Sequence, residues 1–210
     1  ISIFGERTVE EFKQALAAVR GQAQAVVLDL RYNPGGILTA ATEMCDLLLE
    51  QGVIVSTRGR NDAYDSQWQA HAPLGLPMVV LVNGDSASAS EIMAGCLQDS
   101  HRAKIAGSRS YGKGTVQQVF PLDSEKTALK FTTARFYRPS GANIHRSEGM
   151  QAEDVWGVTP EPQLKLELTE VQQLYLNKRW RQRGDPRITQ AAEHPPAPEF
   201  AGDPQLKLVG

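Results

Sequence analysis

Ala25-Val26-Val27-Leu28-Asp29-Leu30, followed by Asn33-Pro34-Gly35-Gly36 and a helix-like segment from about Leu38 to Leu49, is the stretch on which the fold turns. Its near-continuous apolar run is expected of a strand covered on both faces, and the glycine loop carries the chain from strand to helix. The pattern recurs at Met78-Val79-Val80-Leu81-Val82, which is followed by Asp85 to Ser88 and a helix from Ser88 to about Gln98. Val53 to Thr57 reads as another buried strand and Lys104-Ile105-Ala106 as a short one. Such alternation implies a mostly parallel sheet with right-handed crossovers, whose ligands sit beyond the carboxyl ends of the strands.

Upstream, Ile1 to Phe4 reads as a strand end, and Thr8-Val9-Glu10-Glu11 is a capping box opening a helix with Phe12, Leu16 and Val19 at helical spacing. The polar stretch from about Arg58 to Leu74 reads as a loop at the rim of the site. From Val116 to Tyr137 the pattern changes to longer alternating segments, Val116 to Phe120 and Leu129 to Tyr137, which read as antiparallel strands. A helix from about Thr169 to Arg183 precedes a stretch rich in Pro, Ala and Glu. The expected organisation is a core over residues 1–185 and a tail or linker over 186–210.

With 210 residues, 41% of them hydrophobic, the chain is long enough to bury about 70% of its unfolded surface in one domain. A net charge of -2 argues against nucleic acid or an anionic membrane surface as partner. No apolar run approaches the roughly 18 residues of a membrane span. Cys45 and Cys96 lie in apolar, helix-like segments and read as buried thiols acting as small hydrophobes; with no CxxC or His/Cys cluster, no metal and no cofactor is expected. The chain opens at Ile1 without a methionine, which reads as a processed product or an excised piece with any targeting signal upstream.

Two segments carry candidate chemistry: Asp85-Ser86-Ala87-Ser88-Ala89-Ser90-Glu91 supplies a hydroxyl at a helix start, and Ser110-Tyr111-Gly112-Lys113-Gly114-Thr115 supplies an amine between glycines. A lysine replaces histidine as general base when desolvation disfavours its ammonium form, so Lys113 is expected to be poorly hydrated. Gly35 or Gly36 is a candidate first oxyanion donor, and the Ala89 N–H, at the positive end of a helix, the second. Each feature alone has a commoner structural role. Ser88-Ala89-Ser90-Glu91 matches a capping box, Ser86 and Ser90 compete with Ser88, and a lone turn lysine is usually solvated. Gly107 to Lys113 fits all but the last position of a phosphate-binding GxxxxGK[ST] loop, but Gly114 stands where the hydroxyl belongs and a strand-like run follows. His71, His101, His145 and His194 lie in polar loops, a turn or the tail, where surface or structural roles fit better than a triad.

Taken together and in order, Val27 to Gly36, Ser86 to Ile92 and Tyr111 to Gln117 resemble the C-terminal processing, or tail-specific, protease family over about Ile3 to Leu168. The resemblance implies a crotonase-like α/β fold, parallel-rich with flanking helices and an added antiparallel β portion. It implies Ser88 as nucleophile, Lys113 as base and Gln117 as the residue orienting the lysine, in a serine endopeptidase acting near polypeptide C-termini through an acyl-enzyme. It also implies a periplasmic or other extracytoplasmic setting and polypeptide C-termini as partners; self-association stays open. Family members usually carry a PDZ domain ahead of this region, and the sequence here corresponds to the catalytic core without it. The competing reading is a non-catalytic peptide- or ligand-binding relative of the same fold.

Overall fold

In the computed structural model, which describes residues 1–19, 21–60, 66–70, 76–122, 127–182 and 203–209, strands divide between two sheets. β1 (Val26–Asp29), β4 (Met78–Val82) and β5 (Lys104–Gly107) form a parallel sheet in the order β1-β4-β5, with Leu28 opposite Val80 and Leu81 opposite Ala106. β2 (Gly52–Gly59), β3 (Ser66–Ala70), β6 (Thr115–Pro121) and β7 (Ala128–Tyr137) form an antiparallel sheet in the order β3-β2-β7-β6. The helices are α1 (Thr8–Val19), α2 (Leu38–Asp46), α3 (Ala89–Asp99) and α4 (Glu170–Gln182).

One core joins both sheets. Leu28 and Val80 from the parallel sheet, Met44 of α2, Met93 and Leu97 of α3, and Ile54 and Phe136 of the antiparallel sheet belong to a single buried cluster. Burying a side chain of this size stabilises by about 1.5–3 kcal/mol, so the cluster outweighs any single polar contact in fixing where the loops emerge. Cys45 and Cys96 are both free and fully buried within it. Contact with Cys96, followed by burial, pushes the Cys45 thiol well above its ordinary value, which keeps it protonated and inert.

Three sequence expectations change. Val53 to Thr57 belongs to β2 of the antiparallel sheet, because its neighbours are β3 and β7. The supposed rim loop contains β3, which pairs back onto β2 from Thr57↔Ser66 to Gly52↔Ala70; its Trp68 packs on the core, a signal that polar neighbours hid. β1 is an edge strand with Val27 44% exposed, so its apolar run is not covered on both faces among the described residues. Ile1 to Phe4 contributes a single bridge, Phe4 to Gly36. Of the expected 186–210 tail, residues 186–202 lie outside those described, whereas Asp203–Val209 is packed, with Gln205 1% exposed.

Candidate active site

The loop after β1 and the loop after β4 meet edge to edge. Asn33, fully buried, is the joint: its Nδ2 donates to Ile1 O at 3.1 Å, its Oδ1 accepts from Gly35 N–H at 2.9 Å, and its carbonyl accepts from Ala87 N–H at 3.0 Å and Ser90 Oγ at 2.9 Å. Gly35 has φ +102, and a Cβ there would lie 2.8 Å from Ser88 Cβ and 2.9 Å from Ala89 N, so only glycine allows the approach. Gly36 is held against the N-terminal segment, with Phe4 N–H donating to Gly35 O at 2.9 Å and Ile37 N–H to Phe4 O at 2.8 Å. Gly35 N–H is therefore spent, while Gly36 and Ala89 N–H have no protein acceptor among the described residues.

The three serines separate by environment. Ser86 and Ser90 are fully buried, and their hydroxyls donate to Leu30 O at 2.8 Å and Asn33 O at 2.9 Å. Ser88 is half-buried at the entry to α3, with φ 56 and ψ -115. That conformation costs a non-glycine residue about 1–3 kcal/mol and persists only where the surroundings over-determine it. A sharp, strained strand-to-helix turn lifts a hydroxyl clear of the backbone and leaves the next N–H, that of Ala89, beside it.

Glu91 supplies the over-determination. Its carboxylate is fully buried and accepts from Ser88 N–H at 2.9 Å, Ser110 Oγ at 2.6 Å, Gly112 N–H at 2.6 Å and Lys113 N–H at 2.8 Å. Burial raises its pKa above the ordinary carboxylate value, and the hydrogen bonds from Ser110, Gly112, Lys113 and Ser88 oppose that rise. Four donors converging on two oxygens match an ionised acceptor. One side chain thus ties the serine turn to the lysine turn. The capping-box reading of Glu91 captured only its bond to Ser88 N–H; Ser110, Gly112 and Lys113 reach it from another part of the chain.

The lysine turn is also built by backbone. Tyr111 N–H donates to Ser86 O at 3.0 Å and Arg146 N–H to Gly112 O at 2.9 Å. A Cβ on Gly112, at φ +89, would come 2.7 Å from Arg146 Cβ, and one on Gly114 2.3 Å from His145 N. Pinned by its backbone, the turn leaves the Lys113 side chain exposed, contrary to the expected desolvation. Lys113 lines an open cavity of about 570 Å³ with Tyr32, Pro34, Ala87, Tyr111 and Trp180. Among the described residues no hydrogen bond joins Lys113 Nζ to Ser88 Oγ. Gln117 lies on β6 beside a register shift, opposite Thr132, and is exposed. The Gly107 to Lys113 stretch runs into strand β6, so it has no helix N-terminus to cradle a phosphate. Among the described residues no cluster of His, Cys, Asp or Glu is placed to hold a metal ion, and no helix is long and apolar enough to cross a membrane.

Residues 1–161 match peptidase family S41. The chain belongs to that family. A carboxy-terminal-processing protease of Bartonella bacilliformis is 43% identical over 168 residues, covering 75% of this chain and 36% of the relative. The chloroplastic carboxyl-terminal-processing peptidase 2 of Arabidopsis thaliana is 38% identical over 165 residues, covering 77% of this chain and 30% of the relative. The solved structure of a photosystem II D1 C-terminal processing protease superposes with a TM-score of 0.69 at 32% identity, covering 80% of this chain and 41% of that one. This S41 chain thus spans about a third of the length of the curated relatives it matches. Its mixed architecture of a parallel and an antiparallel sheet is the one shared with the S41 structure.

Proposed function

We propose that this chain is the catalytic core of a serine endopeptidase that cleaves polypeptides near their C-termini through an acyl-enzyme. Ser88 is the nucleophile, Lys113 the general base and Gln117 the residue that orients the amine; Gly36 and Ala89 donate to the oxyanion. The engaged Gly35 N–H favours Gly36 as the first donor, with Gly35 providing the close approach. The observation that carries the reading is Glu91, which bonds Ser88 N–H and Lys113 N–H through one buried carboxylate.

Ser88 Oγ attacks the scissile carbonyl while neutral Lys113 takes its proton; the oxygen that becomes negative accepts from Gly36 and Ala89 N–H. Lys113 then returns the proton to the leaving amine, and in the second half it deprotonates the water that releases the acyl group. Exposure of Lys113 in the free chain makes a bound polypeptide the agent that excludes water from the cleft. The fold reading that accompanies this chemistry is crotonase-like, and the setting that goes with it is periplasmic or otherwise extracytoplasmic; the Arabidopsis relative is chloroplastic.

A non-catalytic peptide-binding relative is the competing reading, favoured by the exposed lysine alone. A serine-directed phosphonate separates the two. Labelling that maps to Ser88 and disappears in Ser88→Ala and Lys113→Ala is the expected result, and absence of labelling in the unaltered chain favours the binding module.

A further inference from the structure

We propose that the C-terminal segment Asp203–Val209 is a positioning element for the loop between β1 and α2, acting through Arg31; this rests on the peptidase reading, in which that loop carries the oxyanion donor Gly36. Arg31 follows the end of β1 by two residues and is 3% exposed. One side of its guanidinium is taken by Asp29, with Nε to Oδ1 at 2.9 Å and Nη2 to Oδ2 at 2.8 Å. The other is taken by the C-terminal segment: Nη2 lies 2.6 Å from Asp203 Oδ2, and Nη1 donates to Gln205 Oε1 at 3.0 Å. Gln205 Nε2 in turn donates to Leu166 O at 3.0 Å, and Asp203 Oδ1 accepts from Gln205 N–H at 3.0 Å. The segment is thus closed on itself and on the chain behind β5 before it reaches Arg31.

Arg31 opens a run in which almost every residue is fixed by a contact from elsewhere. Tyr32 has φ 60, a conformation a tyrosine keeps only under constraint; its N–H donates to Asn83 Oδ1 at 2.9 Å and its ring meets Trp180 of α4 at a centroid distance of 6.2 Å. Asn33 follows with the four bonds already described, and Gly35 leaves no room for a Cβ beside Ser88 and Ala89. A guanidinium deprived of a buried carboxylate partner reorganises to find water, and the residues fixed to its backbone move with it. Asp203–Val209 lies beyond residues 1–161, which match family S41.

The test compares the unaltered chain with Asp203→Ala and the milder Asp203→Asn, read by peptide hydrolysis, by the rate of Ser88 phosphonylation and by amide hydrogen exchange. Small misplacements of catalytic groups cost about 100-fold, so kcat and the phosphonylation rate should fall together, by about that factor in Asp203→Ala and less in Asp203→Asn, with KM little changed. Amides of residues 30–36 should exchange about tenfold faster while those of α3 keep their protection. Unchanged exchange at 30–36 overturns the clamp; faster exchange with unchanged kcat overturns its positioning role. If the unaltered chain hydrolyses no peptide, the peptidase reading fails. Amide exchange alone then judges the clamp: faster exchange at 30–36 in Asp203→Ala sustains its hold on the loop, and unchanged exchange overturns it.

Discussion

The serine turn and the lysine turn are joined by Glu91 yet differ in what surrounds their side chains. Around Ser88 the neighbouring groups are buried and spoken for: Ser86, Ser90 and Asn33 are fully enclosed, and the backbone is held at a costly φ. Lys113 has an equally fixed backbone but an exposed side chain at the mouth of an open cavity, and Gln117 beyond it is exposed as well. On the proposed peptidase reading, the difference teaches that the nucleophile and the oxyanion donors would be built by the fold, whereas the environment of the base would be completed by what enters the cleft.

The strongest way to break that contrast is to remove each side chain. Ser88→Ala and Lys113→Ala should each lower kcat by about 10⁴-fold or more with melting temperature nearly unchanged, and the double variant should be no worse than either, since partners in one proton transfer fail together. Lys113→Arg should be as damaging, because a guanidinium stays protonated. Steady-state kinetics with thermal unfolding checks this, and near-normal turnover in Ser88→Ala would transfer the role to another group.

Next comes the bond between the two regions. Glu91→Ala strands four donors, three of them backbone N–H, and should destabilise by about 3 kcal/mol or more. Glu91→Gln keeps the volume but turns an NH₂ toward those donors, and should lower kcat by about 10- to 100-fold, measurable by single-turnover acylation. Retention of full activity in Glu91→Gln would mean that the two turns hold their relation without it.

Gln117→Ala sharpens the contrast on the exposed side. An amide orients but does not titrate in this range, so kcat should drop by about tenfold, clearly less than for Lys113→Ala. Equal losses in acylation rate would make Gln117 as essential as the base.

The smallest effect concerns pH. Burial would raise the Asp203 carboxyl, but hydrogen bonding and charge attraction from Arg31 outweigh it and hold the pKa below its usual 3.8. A depressed folded-state value contributes stability above pH 3.8 that is lost as pH falls through the folded value. The stability gap between the unaltered chain and Asp203→Asn should therefore be full above pH 3.8 and narrow as pH falls below it, as thermal unfolding across that range would show. A gap independent of pH would assign the contribution to shape instead of charge.

The sequence carried the order of events well. Runs such as Val26 to Leu30 and Met78 to Val82 announce strands because apolar continuity is local, and the glycine loop and the serine-helix junction follow them where the parallel sheet needs its ligand-bearing ends. Which sheet a strand joins is a long-range matter, and Val53 to Thr57 looks no different from a parallel strand until β7 pairs with it. The same holds for Arg31 and Asp203, which meet across most of the chain and leave no periodic trace in it. Exposure of Lys113 was illegible for another reason: flanking glycines report how closely the backbone packs and say nothing of where the side chain points.

Gly112 and Gly114 have a consequence for how sequences of this kind should be searched. A side chain at either position would run into Arg146 or His145, so both glycines are demanded by packing whether or not the residue between them does anything. A descendant that lost its chemistry would be free to exchange Lys113 at little structural cost but not its neighbours. Glycines in this motif therefore report shape, and if Lys113 is the base as proposed, the letter between them carries the information about chemistry.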